Sequence, residues 1–321
     1  MSRSTNGKSK KVPFNNNKKC HKQRKKLSSD QEEIQIIMDR HQLYFALLKV
    51  ACLSFLFGFG IYLVRHKPYQ RGFFCDDETI KLPFKYPDTV TFTDLLLLVL
   101  PFPFVVIVLS EFVYYFISLR KLPFQDHIWW SNTLQVLSVW FLATTVSFIV
   151  EGFTKMMVGR LRPIFLDVCR PQIDCNDPKN VGRYITDFQC TVEKPRYPLD
   201  DLRRSFPSGH SAESMMAMLF LIIYLHKRYN AKECIRYPLI CLQLCLFLIT
   251  IFTGLSRIQD HKHHWTDVLA GFSLGASMAS IIVYVTGGLN DLTPYDNQKA
   301  QKVINEDEIR IKEMNRVCIN T

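Results

Sequence analysis

An all-α integral membrane fold with six transmembrane helices is predicted by three features of the 321-residue sequence. Apolar residues, 48% of the chain, are gathered into long runs separated by charged stretches, whereas a soluble protein spreads them at helix or strand period. Six of these runs approach the roughly 20 residues needed to cross a hydrocarbon core. Lys and Arg are concentrated beside alternate run ends, as expected where basic flanks stay in the cytosol.

The first run, Tyr44 to Val64, holds one charge, Lys49, close enough to its start to reach headgroups. The second, Leu95 to Ile117, contains Glu111, and Pro101 and Pro103 are expected to kink it. The third, Ile128 to Val150, the fifth, Tyr237 to Leu255, and the sixth, Val268 to Leu289, carry no Asp, Glu, Lys or Arg. The fourth, Pro207 to Leu225, is the weakest: it is short, contains Glu213 and begins at a polar Ser-Gly-His cluster. An acid inside a span is functional by default. Glu213, one turn from His210, is placed to tune it, while Glu111, near a cytosolic end, can snorkel.

Ahead of Tyr44 there are 11 Lys or Arg against 4 Asp or Glu, a net +7 of the chain's formal +11. That end is expected in the cytosol, on the side of Arg120 and Lys121 and of Lys227, Arg228, Lys232 and Arg236. Six spans then return the C-terminus there. The expected organisation is a basic tail over 1–43, a membrane domain over 44–289 and a cytosolic tail over 290–321. The segment from Met1 to Arg40 lacks the apolar core and small-residue site of a removable signal peptide. Its basic block is expected to set topology and attract anionic lipid, not nucleic acid. The stretch Asn305 to Met314 reads as a solvated tail.

Of ten cysteines, Cys75, Cys169, Cys175 and Cys190 fall in the two segments assigned to the lumen or exterior, where disulfides persist. Cys20, Cys234 and Cys318 fall on the cytosolic side, and Cys52, Cys241 and Cys245 within spans. Four outer cysteines allow three pairings, among which the sequence does not choose.

Three clusters lie at the outer ends of the spans: Lys155 with Arg162-Pro163; Pro207-Ser208-Gly209-His210; and Ser256-Arg257 with His263 and Asp267. Lys155, Arg162 and Arg257 supply fixed positive charge, and Arg offers paired planar donors that match phosphate oxygens. Ser208 and Gly209 open a helix, where unpaired N–H groups favour an anion. His263 and Asp267 are four apart, so on a helix beginning near His263 the carboxylate can hold one imidazole nitrogen while the other faces outward. His210, from another span, can donate a proton to a leaving alkoxide. His261, His263 and His264 with Lys262 form a basic tract that lacks a ligand set at metal spacing, and Trp265 beyond it reads as an interface anchor.

The spacings Lys-x6-Arg-Pro, Pro-Ser-Gly-His and Ser-Arg-x5-His-x3-Asp, in this order, resemble the signature of the type 2 phosphatidic acid phosphatase superfamily, specifically its lipid phosphate phosphatases. The resemblance covers about Tyr44 to Leu289 and includes the outer segment Arg71-Gly72-Phe73-Phe74-Cys75-Asp76-Asp77-Glu78. It implies six helices, cytosolic termini and a catalytic site at the outer membrane face. It also implies hydrolysis of phosphatidate, lysophosphatidate, ceramide 1-phosphate or sphingosine 1-phosphate through a phosphohistidine on His263. In that scheme Asp267 orients His263 and His210 is the acid and then the base. Lys155, Arg162, Ser208, Gly209 and Arg257 bind phosphate, and neither metal nor cofactor is required. Many relatives carry a glycosylation sequon in an outer loop, and this chain has none.

The partners so implied are lipid phosphates in the bilayer, with homo-oligomerisation left open. The expected location is the plasma membrane, with an internal membrane as the alternative. Four rival readings are a sugar-phosphate phosphatase, a silent relative that binds lipid or a partner, a transporter and a vanadate-using haloperoxidase. The Phe-Phe-Cys-Asp-Asp segment argues against the first, the complete set of motif residues against the second, the lack of an internal repeat against the third and the membrane-embedded chain against the fourth.

Overall fold

The computed structural model describes residues 44, 47–48, 50–63, 65–118, 126–192, 197–229 and 235–289. The basic tail 1–43, the tail from 290 and its 305–314 stretch, Lys49, Arg120, Lys121, Lys232, Cys20, Cys234 and Cys318 lie outside the described residues. One compact unit, Cys52–Pro294, holds the elements below apart from the first residues of α1. The other, Met1–Ala51 with Tyr295–Thr321, falls almost wholly outside the described residues.

Eight helices carry the described chain: α1 (Val50–Leu63), α2 (Phe92–Val99), α3 (Pro101–Ser118), α4 (Asp126–Val158), α5 (Phe165–Cys169), α6 (Gly209–Tyr229), α7 (Arg236–Gln259) and α8 (Trp265–Thr286). Among the described residues four stretches are long and apolar enough to cross a membrane: Phe92–Phe116, Trp129–Val158, Arg236–Gln259 and Trp265–Thr286. The protein is therefore an integral membrane protein. Large apolar side chains face outward along these stretches, including Phe102, Leu109, Phe112 and Phe116 on α3 and Ile240, Phe247 and Phe252 on α7. Contiguous exposed apolar surface of this extent is what a hydrocarbon solvent permits.

Local chemistry accounts for the boundaries. Thr91 caps α2 in a reciprocal capping box with Asp94, satisfying two donors that a helix start leaves free. The interruption expected at the prolines falls at Leu100, and Pro101 opens α3, a position where its missing N–H costs nothing. Helix α4 has 33 residues, about 50 Å at 1.5 Å per residue. It continues two turns past the expected end at Val150, because Glu151 and Lys155 stop the apolar run without stopping the helix.

Helix α6 did not qualify by hydropathy, yet it is the centre of the bundle, touching α2, α3, α4, α7 and α8. Its neighbours are protein, so small residues are packed in among its apolar ones. Ala212, Ser214, Met216, Ala217, Met218 and Phe220 are fully buried on it. Gly271 and Gly275 of α8, four apart, bring the two helices into backbone contact. A Cβ on Gly275 would lie 2.1 Å from the Ala212 carbonyl oxygen, and one on Gly271 2.5 Å from that of Ser208. This is the small-residue packing by which helices associate where no hydrophobic force drives them together.

The acid Glu111 does not snorkel. It is 1% exposed and joins α3 to α6, accepting from Arg228 Nη2 at 2.5 Å and from the Tyr224 hydroxyl at 2.8 Å. Arg228 in turn lies 3.8 Å from the centre of the Tyr114 ring, so the buried charge is paired as its environment demands.

Between α1 and α2, and between α4 and α6, two long segments fold over one end of the bundle around a second small core. Phe73, Ile80, Leu161, Ile164, Phe165, Val168, Ile185 and Leu202 fill it. A two-residue antiparallel ladder, β1 (Phe73–Phe74) with β2 (Tyr184–Ile185), adds to the helical expectation, with Phe73 opposite Ile185. Of the three cysteine pairings left open, the structure has Cys75–Cys175 and Cys169–Cys190, with Cα separations of 5.2 and 4.7 Å. The first links the two segments and the second closes the longer one on itself. Peptide mapping without reductant is expected to recover the 75–175 and 169–190 cross-links; recovery of either alternative pairing would contradict this core.

Candidate active site

The cap places a short stretch after α4 beside the stretch that precedes α6. The Arg162 N–H donates to the Leu202 carbonyl at 2.8 Å and the Ser205 N–H to the Arg160 carbonyl at 3.0 Å. The loop between α7 and α8 then folds against both. All three sequence clusters therefore meet at one end of the bundle, around a cavity of about 650 Å³.

Lys155, Arg162, Gly209, His210, Arg257 and His263 line this cavity. Ser208 and Asp267 do not; both are completely buried behind it. The Ser208 hydroxyl is used within the first turn of α6, receiving the Ser211 hydroxyl at 3.0 Å. Gly209 is needed for close approach, since a Cβ there would fall 2.3 Å from Glu151 Oε1 and 3.0 Å from Lys155 Nζ.

His263 precedes α8, which begins at Trp265 with His264 as its cap. The helix thus starts two residues later than expected, and the relation between His263 and Asp267 is looser. Their closest approach, Nδ1 to Oδ2, is 3.9 Å. The direct partner of His263 Nδ1 is the Ser205 carbonyl at 2.7 Å, and its Nε2 is 3.0 Å from Arg162 Nη1. A carbonyl can only accept and a guanidinium can only donate, so Nδ1 carries the proton and Nε2 presents a lone pair toward the cavity. Burial, reinforced by the Arg162 charge and opposed by Asp267, holds the imidazole well below its ordinary pKa. It is a neutral base in the state a nucleophile requires.

Asp267 takes four hydrogen bonds. Arg160 Nη1 donates to Oδ1 at 2.6 Å, and the Ser205 hydroxyl at 2.6 Å, the His264 N–H at 3.0 Å and His264 Nδ1 at 3.0 Å converge on Oδ2. The Ser208 N–H also donates to its main-chain carbonyl at 3.0 Å. His261, by contrast, meets the Pro83 carbonyl, so the three histidines of the 261–264 tract point to separate partners.

The cations are themselves held. Arg162 is held by the Asp201 and Lys262 carbonyls at 2.7 and 2.9 Å. Arg257 bridges Asp260 at 2.6 Å and Asp88 at 3.2 Å, and Lys155 pairs with Glu151. Lys262, also in the wall of the cavity, contacts Asp88 at 3.0 Å and sits 4.0 Å from the Phe84 ring centre. Burial pulls its pKa below the usual ammonium value while Asp88 opposes that shift. Burial likewise raises Tyr197, a neutral phenol in the same wall. His210 Nε2 is buried with no hydrogen-bond partner among the described residues, a ring nitrogen left available on the cavity side of α6. An anion entering here would meet Lys155, Arg162, Arg257 and Lys262 together, with His263 Nε2 and His210 Nε2 alongside.

Away from this polar end the same cavity is lined by Phe57, Leu95, Leu96, Val99, Phe141 and Phe148, from α1, α2 and α4. Its chemistry is therefore that of an anion attached to an apolar chain. Several contributors were missed from sequence. Glu151 and Asp260 stand at helical spacing from Lys155 and Arg257, a signal that was present. Arg160, Ser205 and Asp88 reach their partners across the fold and left no local trace.

Comparison with known proteins agrees with this chemistry. Residues 135–291 match the family model described as PAP2 superfamily. The chain is 34% identical over 271 residues to a Mus musculus protein named phospholipid phosphatase 1, covering 83% of this chain and 93% of that one. Its Rattus norvegicus counterpart is 36% identical over 256 residues, 78% and 88% of the two chains. A Drosophila melanogaster protein named putative phosphatidate phosphatase is 33% identical over 249 residues, 70% and 64%. No solved structure matches the chain.

The depressed pKa of His263 has a consequence for stability. The unfolded chain takes up this proton near the ordinary imidazole value of about 6.5, before the folded chain does. Stability is thus complete above that pH and lost as pH falls below it, by at most about 1.4 kcal/mol per pH unit for one proton. Thermal melts of purified protein in detergent are expected to show this acid-side decline, and His263→Gln is expected to make it shallower by the share of one proton. An identical decline in the variant would contradict the assignment.

Proposed function

The chain belongs to the PAP2 superfamily, and on that premise we propose that it is a lipid phosphate phosphohydrolase working through a phosphohistidine on His263. One observation carries the reading. A tautomer-fixed imidazole lone pair faces a cavity that is cationic at one end and apolar at the other. A phosphate ester on an acyl or sphingoid chain fits both ends, whereas a sugar phosphate would leave the apolar end unfilled.

In the first step His263 Nε2 attacks phosphorus, the P–O ester bond breaks, and His210, which takes up a proton as the phosphate dianion binds beside it, delivers that proton from Nε2 to the leaving alkoxide. The Arg162 N–H that rests on Nε2 turns its hydrogen bond to a phosphate oxygen, keeping its proton, which both frees the lone pair and anchors the substrate. Charge spread over the equatorial oxygens is stabilised by Lys155, Arg162, Arg257 and Lys262 and by the N–H groups opening α6 at Gly209. The ring carries positive charge once phosphorylated, and Asp267, 3.9 Å from Nδ1, offsets it. In the second step His210 takes a proton from water, the oxygen attacks phosphorus, and the P–N bond breaks to return the electron pair to Nε2. Ser208 contributes as the cap of α6 and through its link to Asp267. No step requires a metal, because fixed cations neutralise the phosphoryl oxygens.

We place α1 and α6 as the two further spans beside the four long ones, making six, with both termini cytosolic. The cap and cavity then face the exterior or lumen, a side that suits two disulfides. Substrates are lipid phosphate monoesters such as phosphatidate, lysophosphatidate, ceramide 1-phosphate and sphingosine 1-phosphate. The plasma membrane is the proposed location, and the basic tail is proposed to bind anionic lipid.

The test is phosphate release by the purified full chain, with chelator in excess, from lipid phosphates and from glucose phosphate. Hydrolysis of the lipids is expected, with rates at least 10³-fold lower for His263→Ala, a loss of about 4 kcal/mol in transition-state stabilisation. Equal rates for variant and wild type would overturn the nucleophile assignment, loss of activity with chelator the metal-free scheme, and preference for glucose phosphate the lipid reading.

A further inference from the structure

Two acids in the cavity wall take no part in the reaction steps: Glu151 on α4 and Glu213 on α6, each 7% exposed. A buried carboxylate beside an anion site opposes the charge that the site receives, so the contacts of these two decide what they do there. Glu151 pairs with Lys155, one turn along α4. Glu213 hydrogen-bonds to Glu151 from the neighbouring helix. Ser147, one turn before Glu151, donates to Glu213 Oε1 at 2.8 Å, while Glu213 Oε2 receives no donor from the described residues. Lys155, Glu151 and the first turn of α6 are packed tightly enough that a Cβ on Gly209 would lie 3.0 Å from Lys155 Nζ and closer still to Glu151.

Two ionised carboxylates have no hydrogen to place between them, so a hydrogen bond that joins two carboxyl groups requires a proton on one. The ammonium of Lys155 rests on Glu151 and favours its charged form. Glu213 has a single hydroxyl donor on one oxygen and none on the other, which marks Oε2 as the oxygen that carries the proton. Charge balance points the same way. With one shared proton, Lys155, Glu151 and Glu213 are neutral together; with both acids ionised they would turn an excess negative charge toward the incoming phosphate.

We propose that Glu213 is a positioning residue for phosphate binding: as a neutral acid it donates to Glu151, and the single carboxylate so held keeps the Lys155 ammonium beside Gly209 at the anion end of the cavity. The inference rests on the lipid phosphate reading above and adds how one of its cations is aimed. An ammonium has three hydrogens, so Lys155 can keep Glu151 and still donate to phosphate. Without the Glu213 donor, the buried Glu151 carboxylate has Lys155 as its remaining partner and draws the ammonium away from the substrate. A glutamine at 213 preserves the arrangement, because its amide N–H replaces the acid O–H and its amide oxygen still accepts from Ser147.

The test is the rise in melting temperature of the purified full chain in detergent with increasing inorganic phosphate, which yields an apparent Kd and reports at once whether a variant folds. Wild type, Glu213→Gln and Glu213→Leu are compared, each with Lys155 intact and with Lys155→Ala. Glu213→Gln is expected to bind phosphate within about threefold of wild type and Glu213→Leu about tenfold more weakly, the scale of one hydrogen bond to a charged group. In the Lys155→Ala background, where Arg162, Arg257 and Lys262 still hold phosphate, the difference between Gln and Leu is expected to vanish, since Glu213 acts through Lys155. Tighter binding by both Gln and Leu would mean that Glu213 is ionised and would overturn the inference. Unchanged binding by Leu, or a loss that persists in the Lys155→Ala background, would overturn it as well. If Glu213→Leu does not fold, the sign of the Glu213→Gln change decides: unchanged affinity supports the neutral donor and tighter binding contradicts it. Each of these failures would leave the phosphatase reading standing, whereas a wild-type chain that neither binds phosphate nor hydrolyses lipid phosphates would defeat both.

Discussion

The Asp267 carboxylate is the constraint on which the cavity end of the bundle depends. Through Arg160 it holds the stretch leaving α4, through Ser205 the stretch entering α6, and through His264 the start of its own helix. Each of these segments delivers one of the sequence clusters. Its influence on His263 is largely indirect: Ser205, fixed by its hydroxyl on Asp267, presents the carbonyl that fixes the tautomer. A fully buried carboxylate would be costly alone, and the four donors that converge on it satisfy it and join the segments in one interaction.

The cations around the cavity show the same economy of charge. Arg257 with Asp88 and Asp260, Lys262 with Asp88, and Lys155 with Glu151 are each compensated before any substrate arrives. Four uncompensated positive charges packed together would repel one another and resist burial. The acids stabilise the cluster and fix its geometry, so that in the proposed reaction phosphate would meet donors already oriented and little reorganisation would be needed.

Much of this was legible in the sequence, for identifiable reasons. Lys155, Arg162, Gly209, His210, Arg257 and His263 stand in short fixed spacings at the ends of apolar runs, and the fold brings those ends together. Hydropathy marked α3, α4, α7 and α8 because lipid is their neighbour. It undervalued α6, whose neighbours are helices and whose close contact with α8 depends on Gly271 and Gly275 rather than on oily side chains. It also ended α4 at Val150, where the helix passes from lipid to the site. The disulfide pairing and the Asp88–Arg257 contact, 169 residues apart in sequence, are decided by topology and have no local signature. The sequence puts Asp267 and Ser208 among the candidate residues, while their place behind the cavity wall is visible only from their hydrogen bonds.

The central claim is that His263 Nε2 forms a covalent bond to phosphorus, and rapid quenching of wild type with a ³²P-labelled lipid phosphate tests it most directly. The account predicts an acid-labile, base-stable phosphoryl group on the peptide containing His263, which accumulates when His210 is replaced by Gln and is absent from His263→Ala. Label on any other residue, or efficient turnover by the His263→Ala chain, would contradict it.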